Sequence, residues 1–96
     1  MARIEWLTGA KADLQRLHDF IHPHSPKAAV KAVATIIERV GDLQNFPELG
    51  RPWDADPTYR ELTVVFGARG YIVRYRLVED RLIIVRVWHG LENRNA

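Results

Sequence analysis

The sequence predicts an α+β fold in which two helices cover one side of a small antiparallel sheet. Two segments with helical spacing of apolar residues are joined by the short link His22–His24, and such links favour an antiparallel helix hairpin. Three later segments are rich in β-branched and aromatic residues and are separated by short turns. With 96 residues, 47% of them hydrophobic, we expect residues 1–96 to form a single domain with one modest core.

The first strand and the first helix are predicted within the N-terminal quarter of the chain. The alternation from Arg3 to Leu7 is typical of a short strand. Thr8 is a suitable N-cap for a helix that begins near Ala10. Asp13 and the other charged residues of this helix fall outside its apolar stripe. The stripe contains Ala10, Leu14, Leu17 and Ile21.

The second helix is predicted from Pro26 to about Gln44. Ser25 provides an N-cap, and proline is tolerated at the first helical position because its missing N–H would have no helical partner there. The wide apolar stripe of this helix contains Ala29, Val33, Ile36, Ile37, Val40 and Leu43.

Residues 45–59 are predicted to form a rigid surface connection. The segment contains three prolines and one glycine, which is too many for a helix or an interior strand. Trp53 in this segment is expected to cover the helix hairpin rather than to act as a stacking platform.

The sheet is predicted to be an antiparallel meander. Its strands are Arg60–Phe66, Tyr71–Val78 and Leu82–His89. Alternation places one side of each strand against the helices. This side contains Leu62, Val64, Phe66, Tyr71, Val73, Tyr75, Leu77, Ile83, Val85 and Val87. The opposite side is predicted to be uncovered by helices, and it contains Glu61, Thr63, Ile72, Arg74, Arg76, Ile84, Arg86 and Trp88.

Charge is unevenly distributed along the chain. Residues 60–96 contain seven arginines, no lysine and four acidic residues, whereas residues 1–59 contain seven basic and eight acidic residues. This excess is far below that of a protein that grips duplex DNA, and it suits a protein partner or a local phosphate contact better. The arginines of the uncovered side could instead be solvated and weakly paired with Glu61 or Glu5.

Several classes of protein and site are not expected. The chain has no cysteine, which excludes disulfides and fits a reducing compartment. No segment approaches the roughly 18 apolar residues of a membrane span, and Glu5 interrupts the N-terminal apolar run, so a cytoplasmic protein is expected. His22 and His24 lack nearby ligands for a tetrahedral ion, so no metal or cofactor is predicted.

Four short motifs carry a family resemblance. They are Phe46-Pro-Glu-Leu-Gly-Arg-Pro52, Tyr59-Arg-Glu-Leu62, Tyr71-Ile-Val-Arg-Tyr-Arg76 and Val85-Arg-Val-Trp-His-Gly90. With the order strand, two helices and three strands, they make the chain similar to the RelE/ParE family of toxins from bacterial type II toxin–antitoxin modules over nearly its whole length. The resemblance implies the toxin of a plasmid-stabilisation module that is neutralised by a cognate antitoxin.

This family combines two activities on one fold. The RelE branch cleaves messenger RNA on the ribosome, whereas the ParE branch poisons DNA gyrase and is not known as a nuclease. RNA cleavage through the ribose 2′-hydroxyl needs groups that transfer protons and cations that stabilise the phosphorane. The catalytic candidates for such a ribonuclease are Arg60, Glu61, Arg86 and His89, with Arg74 and Arg76 as further cations. For His89, which has the parity of the core side, a packed structural histidine and a target contact are the alternatives.

Departures from the ribonuclease pattern favour the ParE branch. Ribonuclease members place an arginine where this chain has Ile72 and can carry a basic residue where it has Leu62, and no aromatic residue follows His89. The resemblance therefore implies a gyrase inhibitor rather than an enzyme, with a ribosome-dependent endoribonuclease as the alternative. Many ParE members carry two basic residues where this chain has Leu91-Glu92, so its action could be weakened, retargeted or dependent on Arg94. A non-toxic antitoxin-binding module is the second alternative.

The uncovered side of the sheet is predicted to bind partner proteins. In this family a flexible antitoxin segment folds across the toxin, and apolar side chains among arginines suit an apolar and acidic segment. Gyrase is the predicted target, with the ribosome and its mRNA as the alternative. The predicted partner-binding residues are Ile72, Arg74, Arg76, Ile84, Arg86, Trp88 and Arg94, with Trp88 as the preferred interface anchor.

Overall fold

The computed structural model describes residues 2–67, 69–90 and 92, and of Arg69 only the backbone. The elements are β1 (Arg3–Trp6), α1 (Thr8–Ile21), α2 (Pro26–Gly41), β2 (Arg51–Trp53), β3 (Asp56–Phe66), β4 (Arg69–Val78) and β5 (Arg81–His89). Within the described residues, neither helix combines the length and the apolar character that crossing a bilayer requires.

The start of α2 follows the prediction. The Ser25 hydroxyl accepts a hydrogen bond from the Ala28 N–H at 3.1 Å, and Pro26 occupies the first helical position. The helix ends at Gly41 and continues as a 3₁₀ turn, Asp42–Gln44. The helical backbone therefore reaches the predicted end, although its last turn is not α-helical.

The start of α1 differs from the prediction. Thr8 is the first residue of the helix, Leu7 is the N-cap residue, and no side chain caps the helix, so the predicted Thr8 cap is wrong. The Leu7 N–H instead donates to the carbonyl of Ile84 at 3.1 Å. This backbone bond attaches the beginning of α1 to β5 without a side-chain cap.

The sheet has five strands in the order β1-β5-β4-β3-β2. The predicted antiparallel meander is confirmed by β3, β4 and β5, and β1 joins its edge parallel to β5. The prediction that residues 45–59 form only a connection is wrong, because Arg51–Trp53 pair with β3, which itself begins at Asp56. Pro52 is compatible with β2 because an edge strand tolerates the loss of one N–H donor.

The two helices pack on one face of the sheet, as predicted. The side chains of β3 and β4 that were expected to face the helices are buried there, except that Leu77 is 44% exposed and Phe66 only partly buried. The buried core contains Ala10, Leu17, Ala32, Ile36, Val40, Leu43, Leu62, Val64, Tyr71, Val73, Tyr75, Leu82, Ile84 and Val87.

A β-bulge interrupts the alternation of β5. Arg74 of β4 lies opposite Arg86, but its neighbour Tyr75 lies opposite Ile84. One extra residue of β5, Val85, therefore stands between these two pairs, and the strand changes parity there.

The bulge corrects the predicted faces of β5. Leu82 and Ile84 are fully buried in the core, as is Val87 beyond the bulge. Ile83 lies on the other face, and Val85 occupies the bulge. The predictions that Ile84 lies on the uncovered face and that Ile83 and Val85 face the helices are therefore wrong, because alternation on one side of a bulge does not carry over to the other.

Candidate functional site

Cationic and aromatic side chains run across the face of the sheet that the helices leave uncovered. Each of these side chains contacts the next one, either as a guanidinium over an aromatic ring or as two rings that meet edge to face. Together they extend across the sheet from β2 to β5. We call this set the arginine–aromatic row. It contains Arg76, Tyr59, Trp53, Arg74, Trp88 and Arg86.

Arg74 is the centre of the row. Its guanidinium carbon lies 3.5 Å from the ring centroid of Trp53 and 4.7 Å from that of Trp88. Nε and one Nη donate to the same carboxylate oxygen of Glu61, at 3.1 and 2.8 Å. Arg74 is only 8% exposed, so its charge is matched in a largely dry environment, where cation–π contacts reach about 2 kcal/mol.

The structure corrects two expectations about these residues. The predicted pairing of Arg74 with Glu61 is present, but it is a partly buried pair rather than a solvated one. Trp53 stacks on Arg74 and does not cover the helix hairpin. β2 places it there, because pairing with β3 brings the Trp53 ring over the uncovered face.

Arg86 pairs with Asp13 of α1. Its Nε donates to an Asp13 oxygen at 2.7 Å, and the Val87 N–H donates to the same oxygen at 2.8 Å. The other Asp13 oxygen accepts from an Nη of Arg86 and from an Nη of Arg16, each at 3.2 Å. Burial alone would raise the pKa of Asp13, but the hydrogen bonds from Arg86, Val87 and Arg16 outweigh it and lower the pKa below its usual value of 3.8.

The prediction that Asp13 lies outside the buried stripe of α1 is therefore wrong, because its side chain is only 4% exposed. It lies three residues after Ala10 and four before Leu17, which are both buried. A helix positions such a residue on the same face as its buried neighbours. The Asp13 carboxylate is tolerated there because it is fully engaged by donors.

Side chains complete the outer edge of β5 beyond its pairing with β1. Asp13 accepts from the Val87 N–H, Arg16 donates to the Val87 carbonyl at 3.2 Å, and a Glu92 oxygen accepts from the His89 N–H at 2.7 Å. Glu92 also forms an ion pair with Arg16. These contacts occupy backbone N–H and C=O groups of β5 that could otherwise form hydrogen bonds with a strand of another molecule.

Arg60 fixes the loop that precedes β2. Its guanidinium donates to the carbonyl of Gly50 at 2.7 Å and to that of Glu48 at 3.3 Å. Tyr75 holds the same loop from the core: its hydroxyl accepts from the Gly50 N–H at 2.9 Å and donates to the Pro47 carbonyl at 2.7 Å. Desolvation raises the pKa of Tyr75. Both side chains thus have structural partners within the chain.

The four ribonuclease candidates are not brought together. Arg60 and His89 lie directly opposite buried core tyrosines and so have the parity of the helix-covered face. Glu61 and Arg86 lie on the uncovered face, in contact with Arg74 and Asp13 respectively. The sheet therefore separates the candidate proton-transfer residues from each other.

His89 packs at the end of the core face. Its ring meets that of Tyr71 edge to face, with centroids 5.6 Å apart. The two rings line a shallow groove together with apolar residues that include Phe20 and Phe66. This position agrees with the interpretation of His89 as a packed structural histidine.

The structure also distributes the predicted partner-binding residues. Ile72 is half-buried and lines a cleft of about 380 Å³ beside β2, where a partner can reach it. Trp88 is only 3% exposed, because it is already covered within the chain, with Arg74 and Arg86 over its ring. Ile84 is fully buried in the core and inaccessible. Arg94 lies outside the described residues.

Sequence reasoning missed three residues of this surface: Asp13, Trp53 and Tyr59. Asp13 carried a usable signal, because its spacing from Ala10 and Leu17 matches a buried helix position. Trp53 and Tyr59 carried no such signal. Their positions depend on the pairing of β2 with β3, which proline-rich composition argues against.

Comparison with known proteins identifies the family. A model described as "ParE toxin of type II toxin-antitoxin system, parDE" matches residues 4–94. The chain is 36% identical over 94 residues to Toxin RelE3 of Caulobacter vibrioides, covering 98% of this chain and 100% of the relative. It is 35% identical over 85 residues to Toxin RelE1 of the same organism, covering 88% of this chain and 89% of the relative.

Solved structures of toxin–antitoxin systems contain chains with a similar fold. A chain of the "Chromosomal ParDE TA system from P. aeruginosa" superposes with a TM-score of 0.75 at 28% identity, covering 93% of this chain and 96% of that one. A chain of the RelBE2 toxin–antitoxin complex from Mycobacterium tuberculosis shares the fold, with a TM-score of 0.61 at 23% identity, covering 92% and 96%. This chain therefore belongs to the ParE toxin family of type II toxin–antitoxin systems, within the ParE/RelE superfamily.

Proposed function

We propose that this toxin inhibits DNA gyrase and is held inactive by a cognate antitoxin. Family membership supports the ParE-branch activity, and the two similar solved structures described above come from toxin–antitoxin systems, which supports an antitoxin partner. The proposal assigns no catalytic residue to the chain, since a gyrase poison acts by binding.

One observation carries the choice of gyrase over RNA cleavage. Arg60 and His89 lie towards one face of the sheet, and Glu61 and Arg86 lie on the other. A single scissile phosphate cannot contact both sets, because general acid and base groups must lie within hydrogen-bond reach of the reacting oxygens. In addition, Arg60 and Arg86 are bonded to groups of the chain itself.

Ribosome-dependent mRNA cleavage is the second candidate. It is favoured by three similar proteins from Caulobacter vibrioides that are named RelE toxins. For this chain to act in that way, the ribosome would have to rearrange the side chains that the sheet separates, or a smaller set of residues would have to suffice.

Expression in a bacterial cell without the antitoxin is the first test. Growth arrest is expected, and co-expression of the antitoxin encoded beside this chain's gene should restore growth. Undisturbed growth with soluble protein present would instead support the non-toxic antitoxin-binding module that Leu91-Glu92 suggests.

Two purified systems then separate the mechanisms. With gyrase and supercoiled plasmid, we expect trapped double-strand breaks or loss of supercoiling. Cleaved codons on translating ribosomes, with gyrase unaffected, would contradict the proposal.

His89→Gln is a matched variant for the same assays. Glutamine can retain a hydrogen bond but cannot transfer a proton near neutral pH. A gyrase inhibitor should keep its effect in this variant, whereas a ribonuclease that uses His89 should lose about 100-fold or more of its rate.

A further inference from the structure

Arg76 differs from three other arginines of the uncovered face, Arg74, Arg81 and Arg86. Arg74, Arg81 and Arg86 each form an ion pair with a carboxylate of the chain. Arg76 forms none with the described residues, and its Nε is buried without a hydrogen-bond partner, the one such side-chain atom found in the described part of the chain. Buried donors are almost always satisfied in folded proteins, so the guanidinium of Arg76 is an exception among the described side chains.

The surroundings of Arg76 resemble half of an interface. Its guanidinium carbon lies 5.1 Å from the ring centroid of Tyr59, and Ile83 lies directly opposite on β5. The nearby carboxylate of Asp56 is bonded to Thr58 at 2.7 and 3.1 Å. These bonds are the main causes that lower the pKa of Asp56, and the charge of Arg76 adds only a smaller contribution.

We propose that Arg76 is the anchor for a carboxylate of the antitoxin, carried on a segment with an apolar side chain beside the acidic one. The inference rests on the proposed function, because it requires an antitoxin. A guanidinium binds a carboxylate through two parallel hydrogen bonds, and because Nε of Arg76 is buried, this approach uses its two Nη groups. The incoming carboxylate thus matches a charge that forms no ion pair within the described residues of the free chain.

The rest of the site fits the same partner. Ile83 offers an apolar contact next to the charge, and the Tyr59 ring forms a cation–π contact with the guanidinium. Tyrosine and arginine are the residue types enriched at energetic hot spots of interfaces. Arg74 and Arg86 cannot play this role equally well, since an acidic partner would first have to displace the carboxylates already bound to them.

The test uses the antitoxin encoded beside this chain's gene. Its dissociation constant is measured for the wild type, Arg76→Met, Arg76→Lys and Arg81→Met. We expect Arg76→Met to bind about 10- to 100-fold more weakly, the range typical for loss of a charged hydrogen-bonded pair. Arg76→Lys should be intermediate because it keeps the charge without the planar fork. Arg81→Met is the matched control on the same face and should bind as the wild type does.

Thermal unfolding of the free protein tests whether the Arg76→Met substitution disturbs the fold. Methionine can pack on Tyr59 and leaves no buried donor unsatisfied, so Arg76→Met should unfold at the wild-type temperature or above it. In ¹⁵N-labelled protein, the guanidinium signals of Arg76 should shift when the antitoxin binds, because its Nη groups gain hydrogen bonds, while those of Arg74 should change little.

The outcomes distinguish the anchor from the proposed function. If the wild type arrests growth and binds the antitoxin, but Arg76→Met binds as tightly as Arg81→Met, the anchor is refuted and the proposed function remains. Loss of growth arrest in Arg76→Met with normal antitoxin affinity would also refute it, because Arg76 would then serve the cellular target. A wild-type chain that does not bind the antitoxin would overturn both.

Discussion

The two faces of the sheet are closed by different kinds of contact. The face towards the helices is closed by apolar side chains that pack without directional requirements. The other face lies under no helix, yet Arg74 and Trp88 are almost inaccessible there, because the arginine–aromatic row and its carboxylates cover it. The comparison shows that an uncovered sheet face can be a structured polar layer, in which a buried charge such as that of Arg74 depends on a specific partner.

The largest expected effect tests which face Ile84 occupies. Ile84→Ala should lower the free energy of unfolding by about 2–5 kcal/mol, because it creates a cavity in the core. Ile83→Ala, one residue away on the other face, should cost about 1 kcal/mol or less, as is usual for residues outside the core. Urea unfolding measures both variants. Equal effects, or the reverse order, would contradict the bulge at Val85.

The next effect tests the charged connection between the layers. Asp13→Asn keeps the size of the side chain but removes the charge that binds Arg86 and Arg16, and it should cost about 1.5–3 kcal/mol, the range for hydrogen bonds to charged groups. Asp19→Asn on the exposed side of the same helix is the control, and it should have a much smaller effect, because the bonds of Asp19 with Gln15 and His18 are exposed to solvent. A wild-type stability for Asp13→Asn would mean that α1 does not depend on this contact.

The pH dependence of stability follows from the same carboxylate. The pKa of Asp13 is lower in the folded chain than its usual value of 3.8, so its contribution is present above that pH and is lost as the pH falls through the lowered pKa. Glu92 acts in the same direction, because the bonds from Arg16 and His89 outweigh its burial and lower its pKa. Unfolding measured from neutral to acidic pH should show this loss, and the acid-dependent slope should be smaller in Asp13→Asn.

A smaller effect is expected at the row itself. Trp53→Ala removes the ring that lies closest to the guanidinium of Arg74 and should cost about 1–2 kcal/mol, because the cation–π contact is lost and water reaches the Arg74–Glu61 pair. Trp53→Phe should retain part of this stability. Thermal unfolding of the two variants, with growth arrest as a second readout, would show whether the row is mainly structural.

The smallest effect defines the baseline for the uncovered face. Arg81 and Glu5 form an exposed pair at 3.3 Å, and such pairs contribute little in water. Arg81→Ala should change the free energy of unfolding by less than about 0.5 kcal/mol. A change as large as that of Trp53→Ala would show that charge anywhere on this face matters, rather than the particular stack at Arg74.

Local patterns were enough to predict most of the fold. The apolar spacing of the helices, the Ser25 cap and the β-rich segments act within a few residues, and they are confirmed in most positions. The exception in α2 is Ile37, which was predicted in the apolar stripe but is 49% exposed, while Ala32 is buried instead. The faces of residues 82–88 were harder to predict, because apolar side chains occur at both alternate sets of positions and do not show which set faces the helices. The bulge at Val85 is set by pairing with β4, and no local signal marks it.

The candidate site was predicted less completely than the fold. The uncovered face and the Arg74–Glu61 pair were anticipated, but the Asp13–Arg86 pair joins residues 73 positions apart. Long-range pairs of this kind depend on how α1 lies along β5. A charged residue in a helix is usually solvated, so composition favoured the wrong environment for Asp13.

The bulge at Val85 also limits how this strand can change in length. Removing this residue would restore strict alternation with every other side chain on its present face, because Ile84 and Arg86 would become neighbours on opposite faces. Closing the bulge with Val85 retained would instead turn over one half of β5, so that either Ile84 would exchange with Ile83 or Val87 with Arg86. A one-residue deletion should therefore be tolerated at Val85, and relatives that lack this residue should keep the same pattern of apolar and basic residues on both sides of it.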